Sequence, residues 1–361
     1  MVAGTAFRKF VAVALGFGVF SAFPCAAMYV NDYRSPSPYI EVSFLKQPDS
    51  VDKTDAAMIV SYGAEGTEVF LIDGGTASGT ALAALNNLRS DLLEKLGKAD
   101  QVRNKDYRLR ITCLVTHCHP DHVDELISMV LPNARFAVQA IYLPHATGLT
   151  TDGTFDNALN CDVNQRVKLL SSLKMHHPEA TCHELAFGTV MDVPFESGNM
   201  RLYAPSTDWG VGKPLQYLID TYYSGDGEAK RVSGVPTAVN NANSMWIRLE
   251  YQGKSFLFPG DVMKKKHLAD EPFDRMIDRY GAGELRSDVV KYPHHGILRN
   301  PAAPRLVKDL LKGGADDCVI VTSRSAAGQA GVVLSEMGVL WRDASRKTVV
   351  FHVDEEGIRV R

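Results

Sequence analysis

One short stretch, "THCHPDH" (Thr116–His122), places three histidines and an aspartate within six consecutive positions. In an extended run, residues two apart point to the same side, so His117 and His119 face one target. Pro120 turns the chain, and Asp121 and His122 open a helix that aims an oxygen and a nitrogen back at the same place. Imidazole and carboxylate together suit Zn²⁺, with Mn²⁺ or Fe²⁺ as alternatives. Four donors on one loop exceed what a single open catalytic ion takes. Two ions roughly 3.5–4 Å apart would use them. Such a pair would need a bridging carboxylate and a further histidine. "PGD" at Asp261 and "HHG" at His294 and His295 offer both.

The elements around these residues have a common pattern. "YIEVSFL" alternates like a strand, and "AAMIVSYG" and "TEVFLIDGG" follow it, the latter ending at Asp73. "SGTALAALNNLRSDLLEKLGK" has helical spacing, with Ser78 or Thr80 as its cap. "YRLRITCLVTHCH" runs straight into the histidine cluster. "MWIRLEYQGKSFLFPGDV" reads as a hairpin ending in Asp261, and "DVVKYPHHG" as a strand ending in histidines. "DDCVIVTS" and "KTVVFHVDEEGIRVR" read as closing strands. Polar residues at successive strand ends are what a site on the rim of a two-sheet sandwich requires.

Taken in order, "DGG", "HCHPDH", "GDV" and "HHG" make the chain resemble the metallo-β-lactamase superfamily, from about Tyr39 to the C-terminus. In detail it is similar to the hydrolase domain of ComEC-type DNA-uptake proteins and their stand-alone relatives. "QPDSVDKTD" replaces that group's Gly-Gln-Gly-Asp loop, and "DHVDEL" its Asp-His-x-Gly-Gly. The resemblance implies an α+β fold, an αββα sandwich in one domain spanning residues 28–361. Residues 145–197, helical in spacing, are expected to form an inserted cap over the site. The resemblance also implies two zinc ions. His117 and His119 would hold the first, Asp121, His122 and His294 the second, and Asp261 would bridge them. His295 is the alternative to His294. Asp73 would orient the histidine loop, a bridging water would attack, and Asp121 would steer its proton. The superfamily's third histidine to the first metal is missing from "VNNANSM", where Asn240 stands in its place beside Asn241 and ahead of Ser244. A histidine of the insert, such as His183, is the other occupant to consider.

Composition sets the outer bounds. Of the 361 residues, 45% are hydrophobic and 22% charged, as in a globular chain with a substantial core. The net charge of −3 excludes a broad basic face for nucleic acid. "FRKF", the apolar "VAVALGFGVFSAF" and the small residues of "PCAA" read as a signal peptide over residues 1–27, with an uncleaved anchor as the alternative. Nothing later is apolar enough to span a membrane. The expectation is a secreted or periplasmic hydrolase acting on a phosphodiester, either a small molecule or nucleic acid. Hydrolysis of a carboxylic ester, lactone or β-lactam is the second reading, and a binding module with a vestigial site the third. Cys161 and Cys182 are candidates for a disulfide. Cys118 is expected to pack, and "KKKH" (Lys264–His267) to lie on a solvated helix start.

Overall fold

The computed structural model describes residues 28–46, 48, 55–145, 160–205, 241–262, 272–296, 303–314, 317–322 and 324–361. Two sheets form its centre. The first has nine strands: β1 (Met28–Tyr29), β2 (Tyr39–Phe44), β3 (Ala57–Tyr62), β4 (Thr67–Ile72), β5 (Tyr107–Leu114), β6 (Phe136–Pro144), β7 (Thr181–Leu185), β15 (Val349–Asp354) and β16 (Gly357–Val360). Its main path runs β16-β15-β2-β3-β4-β5-β6-β7. The second has seven: β8 (Val190–Phe195), β9 (Gly198–Tyr203), β10 (Trp246–Tyr251), β11 (Lys254–Phe258), β12 (Val289–Lys291), β13 (Cys318–Val321) and β14 (Leu340–Asp343).

Strand sequence explains the layering. Successive side chains alternate faces, so Ala57 and Ile59 of β3 join the core between the sheets while Met58 and Val60 face outward under helices. The inter-sheet core includes Ile40, Val42, Phe44, Phe70, Ile247, Phe256 and Phe351. On the first sheet's outer face pack α1 (Thr80–Lys95), α2 (Pro120–Glu125) and α3 (Asn160–His176) through residues such as Leu85, Leu92, Val123 and Leu169. The second sheet's outer face is covered by α4 (Pro272–Tyr280) and α5 (Arg324–Glu336), through Phe273, Met276 and Leu334. The order is helix, sheet, sheet, helix, the sandwich expected from the sequence. No helix among the described residues is long and apolar enough to cross a membrane.

The described part of the 145–197 stretch, expected as a cap, is built into the sandwich. β7 pairs in parallel with β6, β8 is an edge strand of the second sheet, and α3 is the crossover between β6 and β7. A parallel pair needs such a crossover. The helical spacing of α3 is therefore a packing face, with Leu169 and Leu173 against the first sheet.

The start of α1 also departs from expectation. Its N-cap is Gly79, and no side chain of its own caps it. The buried Glu125 of α2 does so instead: the N–H groups of Gly79, Thr80 and Leu82 donate to its carboxylate at 3.0, 3.1 and 2.7 Å, and the Ser78 hydroxyl adds a fourth bond at 3.1 Å. A carboxylate at this end also complements the helix dipole. Gly74 allows the close approach, since a Cβ there would stand 2.6 Å from Leu126 Cγ. Removing the carboxylate in Glu125→Ala leaves partly buried donors without it and should cost about 1–3 kcal/mol. Urea denaturation should show this as a lower midpoint at unchanged slope, and a wild-type midpoint would contradict the capping role.

Candidate metal centre

Both sheets send residues to one rim. From the first sheet come Asp73 after β4 and the stretch Thr116–His122 after β5. From the second come Asp261 after β11 and His294 and His295 after β12. β3 runs antiparallel to β4, so the residues just before β3 reach the same rim, and Asp55 is among them. Ser244, just ahead of β10, fixes the Asp261 loop: its Oγ accepts the Asp261 N–H at 3.0 Å. Gly260, at φ 60°, lets that loop pass, because a Cβ there would lie 2.7 Å from Ser244 Cβ.

Asp55, His122, Asp261 and His295 form the tightest group. All four are buried, and their ligand-type atoms lie within 4.8 Å of one another. Asp261 Oδ2 stands at its centre, 3.3 Å from His122 Nε2 and 3.2 Å from His295 Nε2. Behind each imidazole sits a carboxylate. Asp73 Oδ2 lies 2.9 Å from His122 Nδ1, and Asp55 Oδ1 lies 3.2 Å from His295 Nδ1. Asp73 is held in turn by the Thr116 N–H and hydroxyl, at 2.8 and 2.7 Å. A carboxylate behind an imidazole fixes its tautomer and turns the far nitrogen's lone pair toward the site.

The other donors adjoin this group. His117 Nε2 and His119 Nδ1 are 3.0 Å apart, and the His117 ring lies 4.1 Å from that of His122. Asp121 Oδ2 approaches His295 Nε2 at 3.3 Å and is the partly exposed carboxylate of the set. Of the two histidines of "HHG", His295 is the one inside the group. His294 Nε2 stands farther from Asp261 Oδ2, at 3.8 Å. Three successive left-handed residues, with φ of 51°, 60° and 90° at His294, His295 and Gly296, set these directions. Such backbone persists only where its surroundings hold it.

The histidines of residues 145–197 lie elsewhere, among them His183, the alternative ligand considered from the sequence: it bonds the Thr181 hydroxyl and stacks on Tyr142, while His177 bonds the Leu131 carbonyl and His145 pairs with Glu184. Cys118 packs in the apolar cluster under the helices, and Cys182 is an exposed thiol. Asn240, Lys264–His267 and the Cys161 side chain fall outside the described residues, whereas Asn241 is buried. Sequence reading missed Asp55. The signal available for it was the antiparallel register that carries the start of β3 to the rim of Asp73.

The electrostatics divide the imidazoles. Burial opposes charge on His122, yet Asp261 and Asp73 hold it well above its ordinary value. His295 is likewise buried and is raised by Asp261 and Asp55. Burial and the neighbouring His122 and His119 push His117 well below, and burial brings His294 down to about 4. Burial would raise Asp261, but His295, His122 and His294 hold it well below the usual carboxylate range. A bound cation would compete with protons for these imidazoles, so its affinity should fall as the pH is lowered.

The donor set fits a divalent cation. His122 Nε2, His295 Nε2 and Asp261 Oδ1 are buried with no hydrogen-bond partner. Around an ion with bonds of about 2.1 Å, tetrahedral ligand atoms stand ~3.4 Å apart. The 3.2 and 3.3 Å spacings about Asp261 Oδ2 match that edge. Beneath the group, a cavity of about 10 Å³ is bordered by Asp55, Asp73, Thr116, Lys291 and Thr322, so both supporting carboxylates share one pocket.

No family model and no curated protein matches the chain. Among solved structures it is similar to unliganded yeast PDE1, at 11% identity over 85% of this chain and 97% of that one, with a TM-score of 0.45. It is also similar to the MIM-2 metallo-beta-lactamase, at 14% identity over 78% and 83% of the two chains, TM-score 0.29. A long form RNase Z from yeast gives 10% identity over 89% of this chain and 49% of that one, TM-score 0.40. The functional reading rests on the cluster's own geometry.

That geometry separates the adjacent histidines. His295→Ala should remove one divalent ion per chain from protein reloaded after chelation, and His294→Ala should retain more of it. Elemental analysis of both variants measures this, and equal losses would contradict the assignment.

Proposed function

We propose that the protein is an exported, metal-dependent hydrolase of phosphodiesters with a binuclear centre, most simply of zinc. One observation carries the reading: buried imidazole and carboxylate atoms, oriented from behind and without hydrogen-bond partners, converge on Asp261. His117 and His119 would hold one ion, Asp121, His122 and His295 the other, with Asp261 between them. Mn²⁺ and Fe²⁺ are the alternatives that the ligand set allows. The charged, apolar and small-residue pattern of residues 1–27 supports export.

Divalent cations held there supply Lewis acidity toward an ester oxygen and lower the pKa of water to about 7. The chain's own residues do the rest. Asp73, hydrogen-bonded to His122 Nδ1, would keep that ring in the tautomer whose Nε2 faces inward, and Asp55 Oδ1 stands as an ion-pair partner 3.2 Å from His295 Nδ1. Asp121, the partly exposed carboxylate of the set, would be placed to accept a proton leaving the attacking water. Four carboxylates and the buried Lys291, combined with two divalent ions, leave the centre net positive. That favours an anionic diester over a neutral ester or lactone.

Metal-reloaded protein should hydrolyse bis-p-nitrophenyl phosphate or single-stranded DNA in preference to a lactone or nitrocefin. Asp261→Ala should lose more than about a hundredfold in turnover, beyond the ~10–100-fold typical of residues that only support a ligand. Preferential lactone or nitrocefin turnover would move the assignment to the second substrate class. Bound metal with no turnover of any ester would leave a binding module.

A further inference from the structure

Lys291 is an ammonium inside the sandwich. It lies in β12 on the same face as Val289, which belongs to the core between the sheets, and it is only 5% exposed. A charge in such a place is expensive unless it is closely paired. Its Nζ makes an ion pair with Asp55 Oδ2 and reaches the Tyr292 carbonyl at 3.3 Å. The other oxygen of Asp55 accepts the Thr322 hydroxyl at 2.7 Å and faces His295 Nδ1 at 3.2 Å. His295 Nε2 then faces Asp261 and Asp121.

We propose that Lys291 is a positioning residue for the metal centre, clamping Asp55 across the two sheets so that Asp55 holds the His295 ring in its ligating orientation. The inference rests on reading the cluster as a metal site. Lys291 and His295 stand on one short strand and its end in the second sheet, whereas Asp55 comes from the first. β12 has three residues and is separated by Tyr292 and Pro293 from three left-handed ones, so the strand alone does little to fix the His295 ring. The pair on the other side needs no such clamp, because Asp73 is anchored by the Thr116 N–H and hydroxyl on its own sheet. Each supporting carboxylate thus has its own fastening: two hydrogen bonds for Asp73, an ammonium and a hydroxyl for Asp55.

The test is a double-variant comparison on the full chain, with Zn²⁺ affinity read by chelator competition. Lys291→Met and Asp55→Asn should each weaken one Zn²⁺ by about 10–100-fold. Lys291→Met added to Asp55→Asn should weaken it no further, because the lysine acts through that carboxylate. In the Zn²⁺-loaded protein, ring-nitrogen NMR signals of His295 should shift in Lys291→Met while those of His122 stay in place. A general loosening of the core would move both. Wild-type affinity in Lys291→Met, or losses that multiply in the double variant, would overturn the proposal. If Lys291→Met alone fails to fold, the comparison of Asp55→Asn with the double variant decides. A double variant that fails to fold where Asp55→Asn folds would show that the lysine supports the core alone. A wild-type protein that takes up no Zn²⁺ would sink the metal-centre reading itself, which is a separate outcome.

Discussion

Everything at the rim is organised around one buried carboxylate, Asp261. Its Oδ2 meets two imidazole nitrogens at bonding-edge distances, and its Oδ1 is buried without a partner. Two like charges ~4 Å apart in a protein-like medium repel by about 4 kcal/mol. That is a large share of the roughly 5–15 kcal/mol by which a domain is stable. Asp55, Asp73, Asp121 and Asp261 therefore cannot share this corner without positive charge among them. Lys291 supplies one such charge, paired with Asp55. The others must come from protons on His122 and His295 or from cations that replace them.

The sandwich is what makes this convergence rigid. The first sheet delivers Asp55, Asp73 and Thr116–His122, and the second delivers Ser244, Asp261 and His295. Neither sheet holds a complete set. The aromatic and aliphatic core between them, Phe44 against Phe258 and Phe351 for example, fixes the spacing on which the ligand distances depend. Each imidazole is backed by an aspartate and faces Asp261, His122 through a hydrogen bond to Asp73 and His295 through an ion-pair contact with Asp55. Their fastenings differ because one pair lies within a sheet and the other spans two.

Much of this was legible in the sequence, for physical reasons. His117, His119, Asp121 and His122 stand out because period-two spacing followed by a proline-initiated helix puts four donors on one side. Asp73 and Asp261 stand out because each ends an apolar strand. Asp55 does not, since "QPDSVDKTD" holds three aspartates in a polar run and only the pairing of β3 with β4 selects one. The adjacent His294 and His295 cannot be separated by spacing. Their left-handed backbone decides which ring turns inward. The strands were readable from their patterns and the sandwich from the family resemblance that the motifs carry, but its β7–β8–β9 edge was not. The spacing in α3 reports a buried face without saying what buries it, so a crossover helix and a cap look the same.

Chemistry and selectivity are encoded at different levels here. The residues that would hold metal and move protons sit in the short stretches that follow or precede strand ends at one rim, from Asp73 one residue after β4 to His122 eight residues after β5. The donor atoms so placed would specify a reaction class but not a particular substrate.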